Sequence, residues 1–361
     1  MHFIAYILSG FCLFATAMSL SKNQKWWVRM FDFPFAQTTL ISVVALVFYY
    51  FTVPFDTTFQ HIFFGLTLLN LIYQLYIVLP YTALHPVKAQ SSRLPVGKHT
   101  VSLLSANVLQ YNKDTARLKK LIAVKKPDII SLLETDNYWY EQTEYLKAEY
   151  PHYVTVPLDN TYGLLCYSKL EFAKKTVNYL VDKGVPSVDA EVILEDGQHV
   201  RLFVVHPPPP SPSENEESAE RDGELMLVGK AAKKESRPVI VVGDLNDVAW
   251  SHTTRLFQRT ADLLDPRIGR GFFNTFHAKY PFFRWPLDHI FHSDHFRVVS
   301  LERLSDIGSD HFPIYIQLNY EPQAQTEQDA NEANAKDHAE AQEKITYALN
   351  KDASDRRFIW A

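Results

Sequence analysis

The hydrophobic pattern changes twice along the chain, and the three resulting regimes organise the rest of the reading. Up to residue 84, apolar residues fall in long unbroken runs. Residues 1–20, 38–54 and 61–80 carry no Asp, Glu, Lys or Arg, with only histidines to add charge. Each run approaches the ~20 residues with which an α-helix crosses ~30 Å of hydrocarbon. Trp26 and Trp27 follow the first run, and Tyr49, Tyr50, Tyr73, Tyr76 and Tyr81 lie near other ends, as in an interfacial aromatic belt. The first run lacks the basic leader and cleavage site of a secretory signal. Three membrane helices are therefore expected at about 1–20, 38–56 and 61–80, making residues 1–84 an anchor. The alternative is three buried core helices of a soluble domain.

Residues 85–99 are polar and contain proline, and read as a linker. A flexible chain of about 15 residues spans roughly 20 Å, which would keep whatever follows near the bilayer. From residue 100 to 320 the apolar runs shorten and turn residues bound them. Strands are expected at 101–109, 127–135, 162–168, 187–194, 200–206, 238–242, 288–293 and 312–318, and helices at 114–125, 221–234 and 251–264. Strands outnumber helices and alternate with them irregularly. This predicts an α/β sandwich of two mixed sheets rather than a barrel or a doubly wound sheet. Residues 207–218 form a loop, stiffened by prolines at first and acidic later. Beyond residue 321 large apolar side chains thin out, and 321–361 reads as a mostly disordered acidic tail with a solvated helix up to 349.

Composition narrows this only slightly. With 361 residues, 47% of them hydrophobic, the chain can bury a large core. Its two cysteines, Cys12 and Cys166, form neither a disulfide framework nor a metal motif. A formal charge of −5 argues against non-specific coating of duplex nucleic acid. Lys22, Lys25 and Arg29 lie between the first two runs, and Lys88, Arg93 and Lys98 follow the third. Between the second and third stands only Asp56. The positive-inside rule then puts both basic segments, and the downstream domain, on the cytoplasmic side.

The candidate chemistry sits where apolar runs stop. Residues 238–242 lead through Gly243 to Asp244 and Asn246, whose spacing of two aims both side chains at one point on the rim of a sheet. A carboxylate beside a neutral amide suits an electrophilic oxyanion. Alone, the stretch reads equally well as a strand followed by an Asx turn. The other strand ends carry Asn107, Glu134, His206, Asp288 and the pair Asp310–His311. Hard cations such as Mg²⁺ take oxygen ligands of this kind. Each residue singly has a plainer role as a turn cap or a structural histidine. His289 is expected on the opposite face of its strand, and Asp136 in a turn.

Six motifs, in order, resemble the endonuclease/exonuclease/phosphatase superfamily, with its deoxyribonuclease-I-like fold. They are Ser105-Ala-Asn107-Val, Asp128-Ile-Ile-Ser-Leu-Leu-Glu134, Val205-His206-Pro207, Gly243-Asp-Leu-Asn246, Leu287-Asp288-His-Ile290 and Ser309-Asp-His-Phe-Pro313. The resemblance implies a four-layered α/β sandwich over residues 100–320 with its site at one edge of both sheets. The helices ahead of it are similar to those of a bacterial membrane-anchored branch that includes glycopeptide-resistance proteins. That branch implies a catalytic domain outside the cytoplasm, against the charge rule.

The resemblance also implies roles. Glu134 binds a divalent metal, Mg²⁺ or Mn²⁺, Asn107 supports metal or phosphate, and Asp310 completes the metal shell. Asp244 orients or deprotonates the attacking water, and Asn246 holds the scissile phosphate. His311, oriented by Asp288, contacts the phosphate, and His206 contacts phosphate or protonates the leaving oxygen. Whether Asp244 or His311 is the base stays open. The expectation is a membrane-anchored, metal-dependent phosphoester hydrolase acting on a lipid-linked phosphate or pyrophosphate. The alternatives are a nuclease and a non-catalytic module that binds a phosphorylated headgroup. The lipid bilayer is the one partner implied besides the substrate. The aromatic loop Tyr280, Phe282, Phe283 and Trp285 reads as core packing, with lipid contact as the alternative.

Overall fold

Residues 2–359 are described by a computed structural model in which three long helices precede two facing β-sheets. Helix α1 (His2–Leu20) leads through the short α2 (Trp26–Arg29) to α3 (Phe35–Thr52) and α4 (Thr58–Val78). The three long helices are long and apolar enough to cross a membrane. Their side chains are distributed inside out. Ser9, Thr16, Ser42, Thr67, Asn70 and Gln74 are buried, while Phe3, Ile7, Leu40, Phe51 and Leu69 face outward. Gln74 Nε2 donates to Thr16 Oγ1 at 3.0 Å inside the bundle. Small and polar residues at helix contacts with large apolar ones outside is the arrangement expected in lipid. Helix α4 starts three residues before the expected 61 because Thr57 and Gln60 form a capping box.

The strands are β1 (Thr100–Asn107), β2 (Ile129–Leu133), β3 (His152–Val156), β4 (Leu164–Ser168), β5 (Glu171–Asn178), β6 (Ser187–Ile193), β7 (His199–Val205), β8 (Val239–Asp244), β9 (Asp288–His292), β10 (Phe296–Arg303) and β11 (Ile314–Tyr320). One sheet runs β10-β11-β1-β2-β4-β3 and the other β5-β6-β7-β8-β9. Between them lies a dry core that includes Leu103, Ile129, Cys166, Val188, Leu202, Val242 and Ile316. Helices α5 (Thr115–Lys125) and α6 (Asn137–Thr143) cover the first sheet, packing Leu118, Ile122 and Trp139 on Leu104 and Ile130. Helices α7 (Ala219–Lys234) and α8 (His252–Ala261) cover the second with Leu225, Met226 and Phe257 on Val241 and Phe291. The result is the four-layered sandwich of two mixed sheets. Among the described strand pairs only β1–β2 and β7–β8 are parallel, so each sheet holds one βαβ unit, and ligands favour the carboxyl ends of such strands.

Three strands, β3, β5 and β10, were not expected from the pattern, and all three are sheet edges. Edge strands are half solvated and often charged, which erases the apolar run; Glu171–Asn178 is almost wholly exposed on one side.

Two expectations about connecting segments need correction. The stretch 85–99 is fastened to the domain rather than loose: Ser92 N donates to Val298 O at 2.8 Å, and Val298 N to Gln90 O at 2.9 Å, extending the edge at β10. The tail is not mostly disordered. Pro322–Thr326 is a 3₁₀ turn, and α9 (Ala335–Ile359) lies across α7 and α8. Ala341, Ile345 and Ala348 recur at helical spacing and are buried there, a stripe too sparse to stand out in a polar sequence.

Helix α7 also carries a liability. Glu224 is buried, and neither carboxylate oxygen meets a hydrogen-bond partner among the described residues. Burial, reinforced by Asp182, pushes its pKa up to about 8. A carboxyl whose folded pKa is raised favours the protonated fold, so stability falls as pH climbs from about 4.5 towards 8. Glu224→Gln should remove that slope and add on the order of a few kcal/mol at pH 8.5 but little at pH 5. Thermal unfolding of both proteins at the two pH values checks this. Parallel pH profiles would contradict it.

Candidate active site

The two parallel strand pairs end side by side, and their polar caps converge. Asn107 closes β1, and Glu134 follows β2 with a left-handed backbone (φ 58°) that bends the chain out of the ladder. In the other sheet His206 follows β7, and Asp244 ends β8 directly opposite Asp288 at the start of β9. Gly243 makes this closeness possible, because a Cβ there would stand 1.8 Å from Val205 O.

Asn107 joins the two sheets, its Nδ2 lying 2.7 Å from Glu134 Oε1 and 3.2 Å from Asp244 Oδ2. Around Asp244 Oδ2 stand His311 Nε2 at 3.6 Å and His206 Nε2 at 3.9 Å. His311 Nδ1 pairs with Asp288 Oδ2 at 2.7 Å. Asn246 is also left-handed (φ 51°); its N–H donates to Asp244 Oδ1 at 2.9 Å, while its side-chain amide donates to Pro207 O at 3.0 Å. Asp310 sits beside His311, its Oδ1 accepting from Ser309 Oγ at 3.3 Å. All eight residues singled out in the sequence are thus brought together. His289 points away, bonding Asp247 O and Arg267, and Asp136 caps α6.

Burial dominates the electrostatics. It pushes Glu134 up to about 7, with the Asn107 amide and His311 only partly offsetting it. Asp244 is likewise raised by burial, against the pull of His311. Burial holds His206 down to about 4, leaving it neutral, and its Nδ1 has no partner among the described residues. For His311 burial also opposes the charge, but Asp288 and Asp244 outweigh it and lift the imidazole to about 10.

Asp244, Asp288 and His311 have ligand atoms within 4.8 Å of one another. Within that trio the imidazolium of His311 offsets one of the two carboxylate charges. Glu134 has the freer carboxylate: among the described residues its second oxygen meets a long 3.5 Å contact from Gln110 N. A half-buried carboxylate pushed towards neutrality, with Asp310 and the Asn107 amide nearby, fits a hard divalent cation.

Several supporting residues had no signal of their own. Ser309 Oγ donates to Asn107 O at 2.8 Å and accepts from His311 N at 3.0 Å, tying the loop before β11 to the end of β1. Thr275 Oγ1 accepts from Asp288 N at 3.1 Å, and the Phe276 ring packs 4.9 Å from that of His311. Arg221, buried on α7, donates to Asn246 O at 2.8 Å. The Tyr162 ring lies 5.4 Å from His206. Only Ser309, inside the Ser-Asp-His motif, was within reach of sequence reasoning.

Comparison with known proteins agrees with this geometry. The family model described as "Endonuclease/Exonuclease/phosphatase family" matches residues 104–311, from β1 to His311. The chain belongs to the endonuclease/exonuclease/phosphatase family. Among solved structures it is similar to an endonuclease/exonuclease/phosphatase from Bacteroides vulgatus, with 18% identity, a TM-score of 0.50, and coverage of 62% of this chain and 99% of that one. It is similar also to one from Beutenbergia cavernae, with 17% identity, a TM-score of 0.50, and coverage of 62% and 72%. These likenesses concern the fold. No curated protein sequence matches the chain. Membership of the family gives the domain a phosphoesterase fold and supports a hydrolase.

Proposed function

We propose that this family member is a membrane-anchored, divalent-metal-dependent phosphoester hydrolase whose substrate is a lipid-linked phosphate or pyrophosphate. The observation that carries the reading is the single hydrogen-bonded chain from Glu134 through Asn107 to Asp244, beside the His311–Asp288 pair. A cation held by Glu134 and Asp310, with Asn107 alongside, would neutralise charge on the phosphate oxygens. Asp244 takes the proton of the attacking water. It is the better base because burial raises its carboxyl, whereas His311 keeps its proton near neutral pH. His311, held by Asp288, donates a charged hydrogen bond to the phosphate as negative charge grows in the transition state. Asn246 contacts the scissile phosphate, and the neutral His206 hydrogen-bonds the phosphate or the leaving oxygen.

Docking of the anchor supports the lipid-linked substrate. Tyr81 Oη donates to Ala249 O at 2.7 Å, Trp250 Nε1 to Asp32 O at 2.8 Å, and Gly269 N to Pro80 O at 2.8 Å. The segment that makes the first two contacts, Val248–Trp250, lies just after Asp244 and Asn246, which supports a site kept close to the N-terminal helices rather than one swinging on a tether. A turnover screen of the solubilised full chain with Mg²⁺ or Mn²⁺ tests the reading. Phospholipids or polyprenyl pyrophosphate in micelles should be hydrolysed in preference to nucleic acid. Ready cutting of DNA with every lipid ignored would replace it with the nuclease reading.

A further inference from the structure

The loop expected to pack in the core instead stands out beside the anchor: Phe282 is 86% exposed and Phe283 62%. Together with two other segments it frames an apolar groove of about 370 Å³, a size typical of ligand sites. Met30 and Phe33, in the turn that leads into α3, line it. Pro210 and Pro212 line it from the proline segment, and Phe283 and Trp285 from the aromatic loop. Both lining segments adjoin site residues in the chain. The proline segment follows His206, and the aromatic loop leads into Asp288. A run of rings connects the two ends: Phe33 to Trp285 at 5.6 Å, Trp285 to Phe276 at 6.2 Å and Phe276 to His311 at 4.9 Å. The frame is stitched together by Trp26 N donating to Glu216 O at 3.0 Å and Gln37 Nε2 to Phe282 O at 3.2 Å.

We infer that this groove holds the hydrocarbon chain of a membrane lipid while the lipid's phosphoester lies among the strand-end residues. The groove lies where α3 begins, and its Trp285 is joined to the His311 imidazole by ring contacts through Phe276. A soluble protein would have no reason to leave Phe282, Phe283 and Met30 (53% exposed) in water around such a groove. A hydrocarbon chain needs no directional partner, and proline and aromatic walls supply none. Arg29, the one charged group lining it, is committed to Asp32 at 3.0 Å. The inference rests on the hydrolase reading only for what happens at the polar end.

The test uses the full chain in lipid nanodiscs with Mg²⁺. Methyl and octyl 4-nitrophenyl phosphate share one leaving group and differ only in chain length. In the double variant Met30→Gln/Phe283→Gln, the octyl-to-methyl ratio of kcat/KM should fall about tenfold below the wild-type ratio, the equivalent of roughly two methylenes leaving apolar surroundings. Partitioning into the bilayer is common to both proteins, so equal ratios would overturn the inference. A second measurement needs no turnover: hexadecyl phosphate carrying a diazirine on its chain should label segments 26–34, 210–212 or 280–285 of the wild type. Labelling confined to the outward faces of α1, α3 and α4 would overturn the inference too. If the groove is labelled but neither ester is hydrolysed, the hydrolase reading fails and the groove assignment stands.

Discussion

Replacing Asp244 with Asn should lower kcat by roughly three orders of magnitude, the range in which loss of a general base falls. The substitution keeps volume and shape, and the retained Oδ1 still accepts from Asn246 N, so the end of β8 should hold its form. What disappears is the only carboxylate that touches Asn107, His206 and His311 at once, at 3.2, 3.9 and 3.6 Å. An amide there takes no proton from water, and its NH₂ faces the donor amide of Asn107. Saturating Mg²⁺ should not rescue the loss, whereas high metal should partly rescue Glu134→Gln, which weakens the cation rather than the proton step. Steady-state kinetics at several metal concentrations, with thermal unfolding as the fold control, checks both. An Asp244→Asn protein within about threefold of wild type would remove Asp244 from the chemistry.

Ending the chain at residue 334 should destabilise the domain by roughly 4 kcal/mol and lower its Tm by about 10 °C. The lost helix, α9, buries Ala341, Ile345 and Ala348 on the outer layer of the second sheet. Its fit is close: a Cβ on Gly223 would stand 2.3 Å from Ala348 Cβ. It also carries Asp337, which binds Arg259 through contacts of 2.8 and 3.0 Å, and Lys344, which donates to the buried Asp222 at 2.7 Å. Burial opposes the charge on Asp222; Lys344 and Arg221 outweigh it and hold the carboxyl below its usual range. Without Lys344 that compensation rests on Arg221, the side chain that also supports Asn246 O. Truncation should therefore slow turnover as well as lower Tm. An unchanged melting curve would mean that α9 is an ornament on the domain.

What the sequence made legible follows from where information is local. Interior strands such as Val239–Asp244 are buried on every residue, so their apolar runs show plainly, and the polar groups that end them stand out by contrast. Edge strands β3, β5 and β10 have no such contrast. The eight site residues were legible because each breaks an apolar run. Thr275 and Arg221 were not, because they act on backbone groups 13 and 25 positions away, a pairing that only the fold creates. The same holds for the anchor. Its helices are local facts, whereas the seat of Tyr81 and Asp32 on Val248–Trp250 joins residues some 170 to 220 positions apart; the segment 85–99, read as a linker, is pinned in the same long-range way by Gln90 and Ser92 on Val298.

The central claim is that the strand-end cluster is a metal-dependent phosphoesterase centre. Its most direct test is the turnover of a simple phosphodiester by full-length protein stripped of metal with EDTA and then titrated with Mg²⁺ or Mn²⁺. Activity should vanish on stripping and return saturably, with the titration displaced to higher metal in Glu134→Gln. Undiminished hydrolysis by the stripped protein, or an identical metal titration in Glu134→Gln, would contradict the account.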